Sequence, residues 1–276
     1  MKRFSGKKLL AHVALIAVGF FWMYPFLWMI SASLKTPTEM FGRGLSLIPE
    51  SLQFENYVRA WKVANFSGYF LNTVVVTTAV VLIVIFLTST CGYVLGRFNF
   101  PGKTVIIALV VATVFLPTRY TIIPIFDLVK RLGLLNSLGG LILVGAGTQQ
   151  ALFILLFSSF FRGLPKELEE SAIIDGAGFL QVFARIMLPL STPVIATVTI
   201  FQFITSWNDF LFPLILTLGR PSLRTLGVGM YAFVGEHTFD WTGAAAGAAI
   251  SLVPVMTIFL IFQKWFISGV VGAVKG

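Results

Sequence analysis

Cysteine is nearly absent. Cys91 is the single one, so no disulfide can form within the chain, and its place in an apolar run suggests a small buried residue. The two histidines, His12 and His237, lie far apart, and no His/Cys/Glu spacing of the kind that holds zinc occurs, so no metal site is expected. A glycine-rich phosphate loop ending in Lys-Ser or Lys-Thr is missing, which argues against ATP binding or hydrolysis by this chain. No Ser-His-Asp set is evident either, and no cofactor is expected on it. Charge is scarce too. Only 11% of the 276 residues are charged and 57% are hydrophobic, whereas a soluble domain has about 25% charged. The composition is that of a membrane protein. The formal charge of +9 does not point to nucleic acid, because the basic residues are scattered between apolar runs and form no cluster with interleaved aromatics.

What the chain does have is long apolar runs. A helix needs about 20 mostly apolar residues to cross the hydrocarbon core. Six windows qualify, at about 9–30, 69–95, 104–126, 138–161, 192–218 and 243–267. They are too long, and alternate too little, for barrel strands. The expected fold is all-α: one transmembrane domain over residues 1–276 with six membrane-spanning helices. The first run follows Lys2, Arg3, Lys7 and Lys8 and exceeds the length of a signal-peptide core, so it is expected to remain as a span. With the N-terminus inside, the inner segments 1–8, 96–103, 162–191 and the tail hold more Lys and Arg in less chain than the outer ones. Both termini are therefore expected in the cytoplasm. Residues 127–137 could form an amphipathic interfacial helix, with Leu128, Leu132 and Leu135 on one side.

One inner segment is too polar for lipid. In residues 162–191, Pro165 suits the start of a short helix, and Glu167, Glu169 and Glu170 complement its dipole. Gly176 and Gly178 end it. A second helix follows from about 179 to 188, with Phe179, Phe183, Ile186 and Leu190 on one face, and Pro189 stops or kinks it. The small residues Ser171, Ala172 and Ala177 would let another surface approach closely. A solvated connection with no partner is the alternative.

The spacing Glu170, Ser171, Ala172, three residues, Gly176, nine residues, Ile186, Leu188, Pro189 resembles the EAA loop of permease subunits in bacterial binding-protein-dependent ABC importers. Ser171 stands where that pattern has its middle alanine. Asp175, Gly176 and Ala177 resemble the D-G-A of the sugar-importing branch. The stretches "SLKTPTEMF" (33–41), "ENYVRAW" (55–61), "NT" (72–73), "SWNDFLFPLIL" (206–216) and "GAVKG" (272–276) extend the resemblance over most of the chain. Overall it is similar to the second permease subunit of maltose-type importers.

That resemblance implies a cytoplasmic coupling helix pair between spans four and five, seated on a homodimer of ATPase subunits that carry ATP and Mg. It implies a second, different permease and an extracytoplasmic solute-binding protein as further partners, in the lipid of the bacterial inner membrane. It also implies a tail, Val274, Lys275 and Gly276, that reaches the ATPase, and a 219–242 loop that meets the binding protein near Gly235 and Glu236.

Two charges fall inside the spans. Asp209, costly at mid-bilayer, should face the bundle interior or water. With Trp207 and Asn208 it could line a translocation path, the indole stacking on a sugar, or it could belong to a buried structural network. The resemblance favours the network, since the other permease of maltose-type importers makes most sugar contacts. Arg119, between Pro117 and Pro124, lines a cavity beside a kink or snorkels to the outer edge. A secondary transporter or channel without a motor is the alternative function, weakened by the lack of a visible repeat. A membrane enzyme lacks a catalytic set.

Overall fold

The computed structural model describes residues 6–42, 45–63, 65–115, 118–148, 150–234 and 239–274. Among them the regular structure is helical, with one isolated antiparallel bridge between Val234 and Phe239. Among the described residues, three helices are long and apolar enough to cross a membrane: Lys8–Ser33, Phe66–Arg97 and Trp241–Ile267. Two helix pairs pass the same test only when each is taken together, Leu138–Gly147 with Ala151–Gly163 and Phe179–Leu190 with Thr192–Trp207, and the second is bent by 73°.

The third expected span is not one helix. Lys103–Val114 has 12 residues, about 18 Å of rise, short of a hydrocarbon core of about 30 Å. A 3-10 turn, Thr118–Thr121, and a helix, Ile122–Arg131, follow it. The expected interfacial helix over 127–137 is also displaced. The helix is already complete at Arg131, because Gly133 turns left-handed (φ 69°). The Gly133 amide bonds the Lys130 carbonyl and the Leu134 amide the Val129 carbonyl, both at 3.0 Å, which closes the helix end.

The fifth expected span breaks at residues 208–210, between Thr192–Trp207 and Leu211–Leu216. Pro213 explains the place. It has no N–H to offer the carbonyl four residues back, at Asp209. That carbonyl lies so close to Gly227 that a Cβ there would sit 2.7 Å from it. Hydroxyls occupy the carbonyls around the other prolines of this region: Thr192 donates to Pro189 at 2.6 Å and Ser191 to Leu188 at 2.7 Å.

The chain packs as two units. One comprises residues 1–67 and 229–253. Its Gly6–Ser33 helix exposes its apolar side chains, Phe21 and Trp22 among them. The segment after it is tied down by polar contacts. Asn56 donates to the carbonyls of Ser33 at 2.9 Å and Lys35 at 2.8 Å. The buried Lys35 ammonium donates to the Ser46 carbonyl, and Glu39 accepts from the Glu50 amide at 2.7 Å. Arg59 forks onto both oxygens of Asp240, at 2.7 and 3.0 Å, and reaches Thr242 at 2.9 Å. Burial opposes the Asp240 charge. Arg59, the Gly243 amide and the Thr242 hydroxyl outweigh it, so the carboxyl lies below its usual range.

The other unit comprises 68–228 and 254–276 and holds the larger core, around Val80, Val84, Tyr93, Phe157, Phe161, Met187 and Val198. A close helix contact runs through Gly92 and Gly96, one turn apart on Phe66–Arg97. A Cβ at Gly92 would lie 2.9 Å from the Ser158 amide nitrogen, and one at Gly96 2.7 Å from the Ser158 carbonyl. Glycines at this spacing let two helix backbones touch. Cys91, expected to be buried, is exposed, although the adjacent Gly92 lies against Ser158.

Candidate functional site

The 162–191 segment forms a capped helix pair. The first helix is Glu167–Ile174, with Glu167, Glu169 and Glu170 in its first turn. Gly176, at φ 84°, ends it. The Gly176 amide donates to Ile173 and the Ala177 amide to Ala172, each at 2.9 Å. Gln181 then accepts from the Gly178 amide at 3.0 Å and fixes the start of the second helix. That helix runs as Phe179–Leu190 with a π turn at Phe183–Met187. Pro189 offers no N–H to Arg185, and the wider turn fits that gap. It also resets the apolar face. Val182, Phe183 and Met187 are buried and Ile186 partly so, while Phe179 and Leu190 stay half exposed.

A single carboxylate pins this pair to the rest of its unit. Glu169 Oε2 accepts from Arg97 Nε at 2.6 Å and meets Nη2 at 2.5 Å, and its Oε1 accepts from the Tyr93 hydroxyl at 2.7 Å. Arg97 also donates to the carbonyls of Leu164 at 2.8 Å and of Phe161 and Pro165 at 3.3 Å. The Tyr93 ring sits among Phe98, Phe161, Phe179 and Phe183, with centroids 5.1–5.6 Å away.

The proposed motif residues divide by exposure. Glu170, Ser171, Asp175 and Gly176 are exposed, Ala177 is half-buried, and Pro189 is exposed. Ile186 and Leu188 pack against the core. Ala172 lies inside its own unit, in that core, so its small size serves internal packing rather than the approach of another surface. The apolar groups turned furthest outward are Ile174 at 85% exposure, Leu180 and Ile173.

The 207–209 break is differently built. Trp207 is buried, stacked on Phe203 at 5.2 Å with Phe70 against it at 5.5 Å, so both neighbours occupy the indole. Asn208 is exposed and donates to the Ile204 carbonyl at 2.9 Å. The Asp209 carboxylate lies near the amides of Phe210, Leu211 and Phe212, where the helix restarts. Arg119 belongs to the Thr118–Thr121 turn; its side chain lies outside the described residues, as do Gly235, Glu236, Lys275 and Gly276. Val274 is the last residue of the final helix.

A helical chain with long apolar helices, a bent fifth element and a capped polar pair ahead of it can be compared with known proteins. Residues 88–272 match the family described as binding-protein-dependent transport system inner membrane component. The chain belongs to this family. Among relatives, it is 36% identical to the diacetylchitobiose uptake system permease protein NgcG of Streptomyces coelicolor over 95% of this chain and 86% of that one. It is 34% identical to the trehalose transport system permease protein SugB of Mycobacterium tuberculosis over 92% and 93%. A crystal structure of a bacterial ABC transporter involved in alginate import contains a chain of the same fold: the TM-score is 0.79, the identity 22%, and the match covers 96% of this chain and all of that one.

The chain is thus a multi-pass membrane permease and a transport component rather than an enzyme. Sequence reasoning passed over three residues of this permease that the structure brings together: Tyr93, Arg97 and the particular role of Glu169. Arg97 stands just beyond an apolar run, where it reads as a topology signal. The Gly92-x-x-x-Gly96 spacing was the visible clue that this helix end meets another backbone.

Proposed function

We propose that this permease carries a sugar or oligosaccharide across the bacterial inner membrane by alternating access, driven by a separate pair of ATPase subunits. Relatives named for diacetylchitobiose and trehalose support the substrate class. The observation that carries the coupling reading is the set of Ile173, Ile174 and Leu180, apolar and exposed on a helix pair that is capped and pinned from beneath. Exposed apolar groups on a rigid support are a docking surface. In this reading the pair is cytoplasmic, both termini lie inside, and six spans cross the bilayer, the third through the interrupted stretch from 103 to 131. Glu170, Ser171 and Asp175 meet the ATPase beside the isoleucines, with Gly176 and Ala177 shaping the turn. ATP and Mg belong to that partner. Moving a gate from 1:99 to 99:1 requires about 5.5 kcal/mol of preference between states, which a rigid helix pair can pass on.

The solute-binding protein meets the loop at Gly235 and Glu236, the tail with Val274, Lys275 and Gly276 reaches the ATPase, and a second permease completes the path. On this side Asn208 is the exposed polar group of that path, with Trp207 and Asp209 at the break that presents it, and Arg119 of the third span is a further candidate for its lining.

Purification of the tagged chain from gently solubilised native membranes, with mass spectrometry, tests the proposal. Recovery of an ATPase subunit and a second permease is expected; recovery of the chain alone, in a detergent that preserves transporter complexes, overturns it. Ile174→Asp should then cut ATPase recovery by about tenfold or more, the effect of losing roughly 1.4 kcal/mol at a docking centre.

A further inference from the structure

The coupling helix hangs from the preceding helix by Leu164, Pro165 and Lys166 alone. A link this short could still swivel and absorb a push. Arg97 closes off that freedom. Its side chain is 5% exposed, and its guanidinium faces three pieces of backbone and one carboxylate. The Phe161 carbonyl belongs to the end of Ala151–Gly163, the Leu164 and Pro165 carbonyls to the link, and Glu169 to the coupling helix. Arg97 itself is the last residue of Phe66–Arg97, where a cation also suits the carbonyl end of the helix.

Two further contacts make the joint stiff. Tyr93, one turn back, holds the other oxygen of Glu169, and its ring packs on Phe179 and Phe183 of the second helix. Gly96 keeps Ala151–Gly163 in backbone contact with the same turn.

We infer that Arg97 is the positioning residue that fuses the coupling helix to the ends of Phe66–Arg97 and Ala151–Gly163, so that the three move as one lever. The inference rests on the coupling reading above and goes beyond it: it assigns which helices receive the push. With its side chain 5% exposed, Arg97 has almost no surface to offer a partner or a solute, so its role is to position others. Its guanidinium is placed to bind carbonyls and carboxylate together, which a lysine, with a single point of charge, cannot do in full.

Amide exchange on the purified importer complex, without nucleotide and trapped with ATP and vanadate, tests this and needs no identified sugar. In the wild type, residues 86–97, 151–163 and 167–174 should change exchange together on trapping. In Arg97→Gln the change at 167–174 should persist, since the ATPase contact remains, while the change at 86–97 and 151–163 should fall at least about fivefold, the lower end of typical coupling effects. Arg97→Lys should retain part of it. A merely structural role would lower the melting temperature and leave the ATP response intact in all three segments; that result overturns the inference. Should Arg97→Gln fail to reach the membrane, the near-isosteric Glu169→Gln carries the same expectation. If neither variant assembles, the wild type decides: a response confined to 167–174 overturns the lever, and a joint response supports it. Absence of any ATPase, or of any ATP response at 167–174, counts instead against the coupling reading itself.

Discussion

Each unit of the permease is closed by an arginine on an acid, and the two clasps are built differently. Arg59 meets Asp240 in a fork, one nitrogen to each oxygen, with side chains 37% and 31% exposed. Arg97 crowds one oxygen of Glu169 and spends its other donors on carbonyls, with side chains 5% and 16% exposed. By geometry alone the first pair is the better ion pair. By burial the second is the more consequential, because water cannot replace what is lost. The difference separates a tether from a keystone: one holds a surface segment in place, the other gathers three carbonyls and a carboxylate from separate pieces of chain onto one guanidinium.

The largest expected effect breaks the keystone. Arg97→Gln leaves Glu169 in its pocket without a cation, and removing one partner of a buried pair costs about 3–5 kcal/mol. Arg59→Gln, at an exposed pair, should cost about 1 kcal/mol or less. Thermal unfolding of the detergent-solubilised protein should therefore show a drop several times larger for the first variant. Equal drops would mean that pairing geometry, not burial, sets the value of these clasps.

Gly96→Leu comes next. A side chain there meets the Ser158 carbonyl and Phe161, and overpacking of this kind costs about 1–3 kcal/mol. It should also push Ala151–Gly163 away from Arg97. The double variant with Arg97→Gln should then fall short of the sum of the two single losses, since neighbouring sites share what they lose. Full additivity of the melting shifts would show that the glycine contact and the guanidinium act separately.

Neither clasp is legible in the sequence, although much around them is. Apolar runs announced the all-helical membrane class, and Gly176 with its three preceding glutamates announced the turn and the dipole of the coupling pair. Those readings rest on local chemistry, which a sequence displays. Arg97 and Glu169 are 72 residues apart, and Asp240 is 181 residues from Arg59; nothing local joins either pair. The same limit explains the interrupted spans. Hydropathy sums over a window and passes smoothly through residues 208–210, whereas the break there follows from one missing N–H at Pro213. Ala172 shows a related limit: a small residue beside exposed acids looks the same in sequence whether it faces a partner or, as here, its own core.

The smallest effect sharpens the tether. The Asp240 carboxyl is held below its usual range by Arg59, against the opposing pull of burial. A depressed carboxylate contributes stability that is complete above its unfolded value, about 3.9, and that disappears as pH falls through the lower folded value. The deficit of Arg59→Gln should thus be constant from neutral pH down to about 5 and shrink below about pH 4, as Asp240 protonates earlier in the variant and then in the wild type as well. Unfolding midpoints of the two proteins measured in parallel should converge at the acid end. A gap that persisted at low pH would mean that Arg59 stabilises its unit through Asn56, at 3.0 Å, and Thr242 rather than through the charge of Asp240.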